Sequence, residues 1–299
     1  MTGVQTCALP ILLLQTIPAY RLPRKTLARE IRMIQSMGVE IETGSRLGQN
    51  LSLKKLRDKG YEAVFLAMGA PLGSTLGIPG EEAKGVVDAL QFLREYNLTG
   101  KAAIGKKIAV IGGGNAAIDV ARTAMRLGAE SVTVLYRRTR EEMPAWGEEI
   151  DEALREGVKL ELLVAPKEIT VSGNKVTGVR CCRMELGEFD RSGRRRPREK
   201  CGEEFTVEVD QVVAAIGQTI DAGKLCDGME IKMTRSGFFQ VDPISGATSM
   251  DWIFAGGDVV TGPASVVEAI SAGERAAVGI DKMLTGRDNA FWRKIGRAS

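Results

Sequence analysis

The chain has 299 residues, of which 44% are hydrophobic and 26% are charged, and its formal net charge is +3. These values are typical of a globular protein with two domains, and so small a net charge does not favour nucleic acid or an anionic membrane as a partner. The sequence contains no histidine, which excludes histidine-activated nucleophiles and histidine metal ligands.

Both ends of the sequence resemble translated sequencing adapters. Residues 1–11, which include Cys7, resemble one adapter, and residues 295–299 resemble the reverse complement of its partner. We therefore expect a fragment of a longer protein, in which residues 1–11 carry no biological information. The apolar run after Ala8 does not predict a signal peptide, because no Lys or Arg precedes it.

Residues 12–106 predict two helices and one strand. Apolar side chains at helical spacing indicate a helix over residues 23–37, and a second, shorter helix is predicted over residues 86–96. Between them, residues 62–69 form an apolar strand that ends in Ala-Met-Gly. The last of these, Gly69, would let the backbone approach a cofactor.

A strand, a glycine turn, a helix and a second strand follow one another from Lys107 to Tyr136. The turn matches G-x-G-x-x-G/A and consists of Gly112, Gly113, Gly114, Asn115, Ala116 and Ala117. In this pattern the first glycine permits the bend, the second lets a pyrophosphate reach the backbone, and the last small residue lets helix and strand pack closely. Because the helix then points its N-terminal amides at the phosphates, the segment predicts a dinucleotide site.

Two arginines follow where an NAD-preferring site would carry a carboxylate. A carboxylate accepts a hydrogen bond from the 2′-hydroxyl of the adenine ribose, whereas a guanidinium binds a 2′-phosphate. Arg137 and Arg138 therefore predict NADPH rather than NADH. The alternative is a glycine loop followed by a solvated strand end.

The next segment predicts a helix over residues 146–157, a strand over 159–164 and a hairpin over 168–186. A charged loop that contains the run Arg194, Arg195 and Arg196 is predicted over residues 190–200. We expect a solvated hairpin tip there rather than a nucleic-acid site, because acidic residues offset the charge and no aromatic residues interleave.

The five cysteines include the adjacent pair Cys181 and Cys182, while Cys201 and Cys226 are isolated. Since no C-x-x-C spacing occurs, neither a redox disulfide nor an iron–sulfur or zinc site of the usual kind is predicted. Reduced thiols in a cytoplasmic protein are expected.

The pattern of residues 62–69 recurs at residues 210–217, where an apolar strand ends in Ala215, Ile216 and Gly217. Each segment is typical of a strand that closes a dinucleotide-binding domain. We therefore predict a domain of residues 105–217 inserted between residues 1–104 and 218–299, which form a second domain. The predicted fold class is α/β with two Rossmann-like dinucleotide-binding domains.

Residues 252–258 predict a strand that enters a glycine turn, and residues 263–284 predict a helix. Asp258, which follows Gly257, could bind a ribityl hydroxyl of FAD, and the helix N-terminus could stabilise negative charge on a reduced flavin. The alternative is a surface turn before an ordinary capped helix.

Together these motifs resemble the small (beta) subunit of NADPH-dependent glutamate synthase and related flavoproteins, including the electron-input region of dihydropyrimidine dehydrogenase. The segments that carry the resemblance are residues 17–23, 67–69, 76–81, 110–115, 136–138 and 255–258. The resemblance implies NADPH at residues 112–116, Arg137 and Arg138, with Ile216 and Gly217 near the nicotinamide. It implies FAD at Gly257, Asp258, Ser265 and Val266.

The chain departs from that family before Ile17. In the family an FAD-binding glycine unit precedes this segment and an iron–sulfur-associated helical region precedes that unit, whereas only sixteen residues precede Ile17 here. Gln15 and Thr16 also replace the family's Tyr-Gly. We therefore expect an NADPH domain inserted into an incomplete FAD domain, in a fragment that binds FAD poorly.

The resemblance implies an oxidoreductase that passes a hydride from NADPH to FAD and electrons on to an electron-accepting subunit or iron–sulfur protein, such as the glutamate synthase large subunit. No catalytic side chain or metal ligand is predicted, because the cofactors carry the chemistry. Two alternatives stay open. One is a module that binds nucleotide without turnover, and the other is the electron-input subunit of a ferredoxin-linked transhydrogenase or of a formate or pyrimidine dehydrogenase.

Overall fold

The computed structural model describes residues 13–190, 193–222 and 229–287; both adapter-like ends, Cys7 and Cys226 lie outside them. Its strands are β1 (Val64–Leu66), β2 (Leu72–Gly73), β3 (Val86–Asp88), β4 (Lys107–Ile111), β5 (Ser131–Tyr136), β6 (Lys159–Leu162), β7 (Val164–Ser172), β8 (Lys175–Phe189), β9 (Arg195–Val207), β10 (Gln211–Ala214), β11 (Gln218–Thr219) and β12 (Ile253–Ala255). Its helices are α1 (Arg24–Ser36), α2 (Leu53–Asp58), α3 (Ala89–Thr99), α4 (Asn115–Arg126), α5 (Gly147–Arg155), α6 (Asp258–Thr261) and α7 (Val266–Thr285). None of these helices has the length and apolar character needed to cross a bilayer.

The chain divides into two compact units. The inserted unit consists of residues 13–24 and 73–217, and the flanking unit contains the described residues 25–72, 218–222 and 229–287. The sequence predicts that the inserted domain starts at residue 105, whereas the structure also includes residues 73–104. The reason is that β3 pairs with β10 in the main sheet.

The segment predicted as a helix over residues 86–96 begins as a strand instead. Val86–Asp88 forms β3, and α3 starts only after Asp88, whose carboxylate accepts the amide of Leu90 over 2.9 Å. An Asp at the N-cap satisfies free amides at a helix start, which fixes the boundary at this residue. The short apolar run before the cap is compatible with either structure, and sheet pairing decides it.

The inserted unit is built on a parallel sheet with the spatial order β3-β10-β4-β5-β6. Val110, Val132 and Val134 are fully buried, as expected for a parallel sheet covered on both faces. The strand that precedes β4 along the chain, β3, lies on one side of β4 in the sheet, and the strand that follows it, β5, lies on the other side. This places a topological switch point between β4 and β10, where open parallel sheets bind ligands.

A second sheet in the inserted unit is antiparallel, with the order β7-β8-β9. The prediction of a loop over residues 190–200 is therefore wrong in part, because Arg195–Val207 forms β9. Most of its side chains are exposed on both faces, so the alternation of apolar and polar residues that reveals a strand is missing. Arg180 on β8 links the three strands by binding Glu168 and Glu204.

The flanking unit contains a two-stranded parallel sheet in which β1 pairs with β12. Leu53, Phe239 and Ile253 are fully buried in its core. The two Ala-x-Gly segments thus follow strands of different sheets, since β1 lies in the flanking unit and β10 in the inserted unit. Two parallel strands are few for an independent sheet, which usually has four to six strands.

Candidate functional site

The glycine turn lies at the switch point, directly after β4. Gly112 has a φ of +141°, and its amide donates to the carbonyl of Leu135 over 3.1 Å. A Cβ at this position would lie 2.2 Å from the carbonyl oxygen of Ala215, which follows β10. Only glycine fits here, for two reasons. L residues rarely adopt this backbone conformation, and a Cβ would collide with the neighbouring chain segment. Gly112 therefore allows the ends of β4 and β10 to meet.

The next two glycines have different surroundings. A Cβ on Gly113 would lie 2.5 Å from ring carbons of Tyr136, so this glycine is required by packing. A Cβ on Gly114 would meet no atom within 4 Å. Behind them Ala117 is fully buried, which lets α4 pack closely against the sheet. Space for a ligand therefore lies in front of Gly114.

The backbone amides of Gly114, Asn115 and Ala116 have no acceptor among the described residues. They lie at the start of α4, a helix of 12 residues, where the first amides lack intrahelical partners and the helix dipole is positive. Together with the open space at Gly114, this arrangement suits an anion such as a pyrophosphate.

The loop after β5 is fixed to this turn by two hydrogen bonds and to the end of β5 by a third. The amide of Ala145 donates to the carbonyl of Gly113 over 3.1 Å, and the amide of Trp146 donates to Oδ1 of Asn115 over 3.2 Å. The hydroxyl of Tyr136 donates to the carbonyl of Glu142 over 2.7 Å. The loop therefore holds the backbone of Trp146 next to the start of α4, and the side chain of this residue is 67% exposed. Trp146 is not among the site residues predicted from the sequence, although an isolated tryptophan before a helix was a signal.

The two arginines predicted to bind a 2′-phosphate have different surroundings. Arg137 is exposed, and no described residue is bonded to its side chain. Arg138 is only 5% exposed; its Nε donates to the carbonyl of Arg195 over 2.7 Å, and its Nη2 donates to Asp190 over 3.1 Å. Of the two, only Arg137 has a guanidinium group without a partner among the described residues, and the assignment of both to a phosphate stays a prediction. Arg138 is buried because Asp190 and Arg195, at the ends of β8 and β9, cover its side chain.

Ile216 and Gly217 follow β10 on the other side of the switch point. Ile216 is 42% exposed, and the carbonyl of Gly217 accepts the amide of Ser74 over 3.0 Å. Gly217 has a φ of +127°, which favours glycine. The two residues predicted for the nicotinamide end thus lie at the carboxyl end of the strand that borders the glycine turn.

The predicted flavin residues are found in the flanking unit. Gly69 and Gly257 have φ values of +68° and +72°. Oδ1 of Asp258 accepts the amide of Ala264 over 3.2 Å, and burial raises the pKa of this carboxyl. Asp258 therefore holds the turn that leads from α6 into α7, and its second carboxylate oxygen has no partner among the described residues.

The start of α7 is already capped by its own side chains. Oγ of Ser265 accepts the amide of Glu268 over 3.2 Å, and the carboxylate of Glu268 accepts the amide of Ser265 over 2.8 Å. This is a capping box. Val266, Val267 and Ile270 follow on an exposed apolar face.

A buried charge cluster attaches residues 13–24 to α4. Arg21 donates to Asp119 over 2.8 Å, and the guanidinium carbon of Arg122 lies 4.7 Å from the ring centre of Tyr20. Burial raises the pKa of Asp119 from 3.8 to about 6, in spite of the opposing effect of Arg21. Burial also raises the pKa of Tyr20, so its hydroxyl stays protonated.

The raised pKa of Asp119 predicts that the stability of the chain depends on pH. Asp119 binds its proton more tightly in the folded than in the unfolded chain. Its contribution to the free energy of unfolding should therefore increase as pH falls from 7.5 to 5. The free energy of unfolding of the unmodified chain minus that of Asp119→Asn should rise by about 1 kcal/mol over this interval. Urea denaturation of both proteins at each pH measures the difference. A difference that is constant, or that falls toward pH 5, would contradict the raised pKa.

The sequence profile of the family described as pyridine nucleotide-disulphide oxidoreductase matches residues 4–273. The chain is 44% identical over 283 residues to the NADP(+)-dependent formate dehydrogenase subunit beta of Moorella thermoacetica, covering 93% of this chain and 40% of that protein. It is 37% identical over 282 residues to the glutamate synthase [NADPH] small chain of Azospirillum brasilense, covering 90% of this chain and 58% of that protein. The chain thus spans about half of each relative. The predicted resemblance to glutamate synthase small subunits and their relatives is confirmed.

Among solved structures, FprA of Mycobacterium tuberculosis in complex with NADPH superposes with a TM-score of 0.80 at 18% identity. The match covers 95% of this chain and 78% of FprA. At this identity the match shows the fold alone. It confirms the predicted α/β class with two Rossmann-like units.

Proposed function

The chain belongs to the pyridine nucleotide-disulphide oxidoreductase family, and we propose that it binds NADPH through its inserted unit as part of a flavin-dependent oxidoreductase. In this proposal the pyrophosphate lies at residues 112–116, and the 2′-phosphate lies beside Arg137. The nicotinamide lies toward Ile216 and Gly217.

The set of unpaired amides at the start of α4 supports this proposal most strongly. Gly114, Asn115 and Ala116 offer three donors, and no described side chain supplies an acceptor for them. The space that a Cβ on Gly114 would enter is empty to 4 Å. A turn with these properties at the switch point of a parallel sheet suits a dinucleotide.

When bound, NADPH supplies a hydride from its nicotinamide ring. The residues of this chain bind and orient the nucleotide. Asn115 and Gly113 hold the loop after β5 in place, and Trp146 on that loop can keep water away from the pyrophosphate. Ile216 offers an exposed apolar side chain to the opposite end of the nucleotide. No side-chain acid or base is needed to deliver a hydride.

We propose that the flanking unit supplies one part of an FAD site. Gly69 and Gly257 leave the backbone open to a ligand, and the unpaired carboxylate oxygen of Asp258 can accept a ribityl hydroxyl. Val266 offers a free helix amide beyond the cap formed by Ser265. The described residues of this unit contain no second G-x-G-x-x-G turn for the pyrophosphate of FAD. They therefore fit only one part of the cofactor.

The names of the relatives support an electron-accepting partner. The Moorella relative is named a formate dehydrogenase subunit and the Azospirillum relative a glutamate synthase chain, so both belong to multi-subunit enzymes. We propose that this protein likewise passes electrons to a separate subunit or an iron–sulfur protein. The incomplete set of flavin residues favours a second candidate function for this chain, which is binding of NADPH without turnover.

Two measurements on the chain of 299 residues test the proposal. Isothermal titration with NADPH should show one bound nucleotide per chain, and failure to bind would refute the proposed function. Because the described residues fit only one part of FAD, anaerobic addition of NADPH to the chain with excess FAD should bleach the flavin absorbance no faster than it does without protein. Faster bleaching with protein would show that this chain alone supports hydride transfer to FAD and would contradict the module without turnover.

A further inference from the structure

Arg195, the first residue of β9, is held at both of its backbone groups by the loop that follows β5. Its amide donates to Oε1 of Glu142 over 3.0 Å, and its carbonyl accepts from Nε of Arg138 over 2.7 Å. In a Rossmann-type unit the adenine ribose lies beside the end of the second strand, which here is β5. The structure therefore places an additional arginine beside the region where the 2′-phosphate is expected.

The two residues that hold Arg195, Glu142 and Arg138, are also bonded to other protein groups. The carboxylate of Glu142 also accepts the amide and hydroxyl of Thr139, over 3.3 and 3.1 Å. Burial alone would raise the pKa of Glu142, but hydrogen bonds from Arg195 and Thr139 and the charge of Arg138 lower it, so the carboxylate stays ionised. Arg138 is buried against Asp190. Neither residue presents an available charge to a ligand, yet both fix the position of Arg195.

The side chain of Arg195 is exposed. Its guanidinium carbon lies 5.7 Å from the ring centre of Phe189, and no described carboxylate forms an ion pair with it. Arg137 is exposed as well, and it precedes Arg138 directly in the chain. A phosphate dianion is bound most strongly by two guanidinium groups, each able to donate two hydrogen bonds.

We propose that Arg195, together with Arg137, recognises the 2′-phosphate of NADPH, and that Arg138 is a positioning residue that holds Arg195 in place. The inference rests on the proposed NADPH site and assigns its specificity. In this assignment the 2′-phosphate is bound by Arg137, which follows β5, and by Arg195 on β9. Arg138 no longer contacts the phosphate itself.

The test compares NADPH with NADH, which lacks only the 2′-phosphate. Dissociation constants are measured by isothermal titration for the unmodified chain, Arg195→Ser and Arg196→Ser. Arg196 is a matched control because it is exposed on the same strand but lies on the opposite face. Arg195→Ser should reduce the preference for NADPH by about tenfold or more and leave the affinity for NADH within about twofold. Arg196→Ser should change neither.

The role of Arg138 is tested by non-additivity. Arg138→Gln should also reduce the preference for NADPH, and the double variant Arg138→Gln/Arg195→Ser should lose no more than Arg195→Ser alone. A further loss in the double variant would mean that Arg138 contacts the phosphate itself and would overturn its positioning role. If Arg138→Gln does not fold, the Arg195→Ser titration still decides the role of Arg195.

The outcomes separate this inference from the proposed function. If the unmodified chain prefers NADPH and Arg195→Ser keeps that preference, the inference is overturned and the NADPH site stands. If the unmodified chain binds NADH as tightly as NADPH, the 2′-phosphate site is overturned, although the dinucleotide site stands. Binding of neither nucleotide overturns both.

Discussion

Replacing Gly112 with alanine is expected to lower the free energy of unfolding by about 3 kcal/mol, the sum of an unfavourable backbone conformation and overpacking. At a φ of +141° an L residue is strained. The new Cβ would also lie 2.2 Å from the carbonyl oxygen of Ala215. That carbonyl cannot move freely, because the amide of the same residue donates to Ile111 over 2.8 Å. The junction of β4 and β10 would therefore open.

Urea denaturation followed by circular dichroism measures this change, with Gly114→Ala as the matched control. Gly114 has a φ of −90° and no atom within 4 Å of an added Cβ, so alanine should change the stability by less than about 0.5 kcal/mol. If both variants unfold at the same urea concentration, the close approach of Gly112 to Ala215 does not exist in solution.

Replacing Gly114 with valine is expected to weaken NADPH binding about a hundredfold or more while the chain stays folded. The added methyl groups would occupy the space in front of the free amides of Gly114, Asn115 and Ala116. Loss of two hydrogen bonds to a charged pyrophosphate is worth about 3 kcal/mol or more, which corresponds to that factor.

The measurement is isothermal titration of the folded Gly114→Val variant with NADPH and with NADH. Both nucleotides carry the same pyrophosphate, so both affinities should fall by the same factor. A fall for NADPH alone would place the substitution near the 2′-phosphate instead of the pyrophosphate. Unchanged affinities would remove the glycine turn from the binding site.

The glycine turn was predictable from the sequence because its determinants are local. A short apolar strand, three glycines and a helix occupy neighbouring positions from Lys107 to Arg126, and the backbone conformation of Gly112 follows from that spacing. The fold class followed for the same reason, since strand and helix signals alternate along the chain. Each signal needs only a few consecutive residues.

The arrangement of the arginines was not predictable in this way. The partner of Arg138 is the carbonyl of Arg195, 57 positions away, and the two meet only because β8 and β9 form a long hairpin. The second half of that hairpin is polar on both faces, so its sequence reads as a loop. The pairing of β3 with β10 is also non-local, and it moves the boundary of the inserted unit from residue 105 to residue 73.

A crystal structure of the 299-residue chain with NADPH bound would show where the pyrophosphate lies. Our prediction is that its oxygens are within hydrogen-bonding distance of the backbone nitrogens of Gly114, Asn115 and Ala116, with the adenine ribose on the side of Arg137. A nucleotide bound elsewhere on the chain, or at this turn with its pyrophosphate away from those three amides, would contradict it.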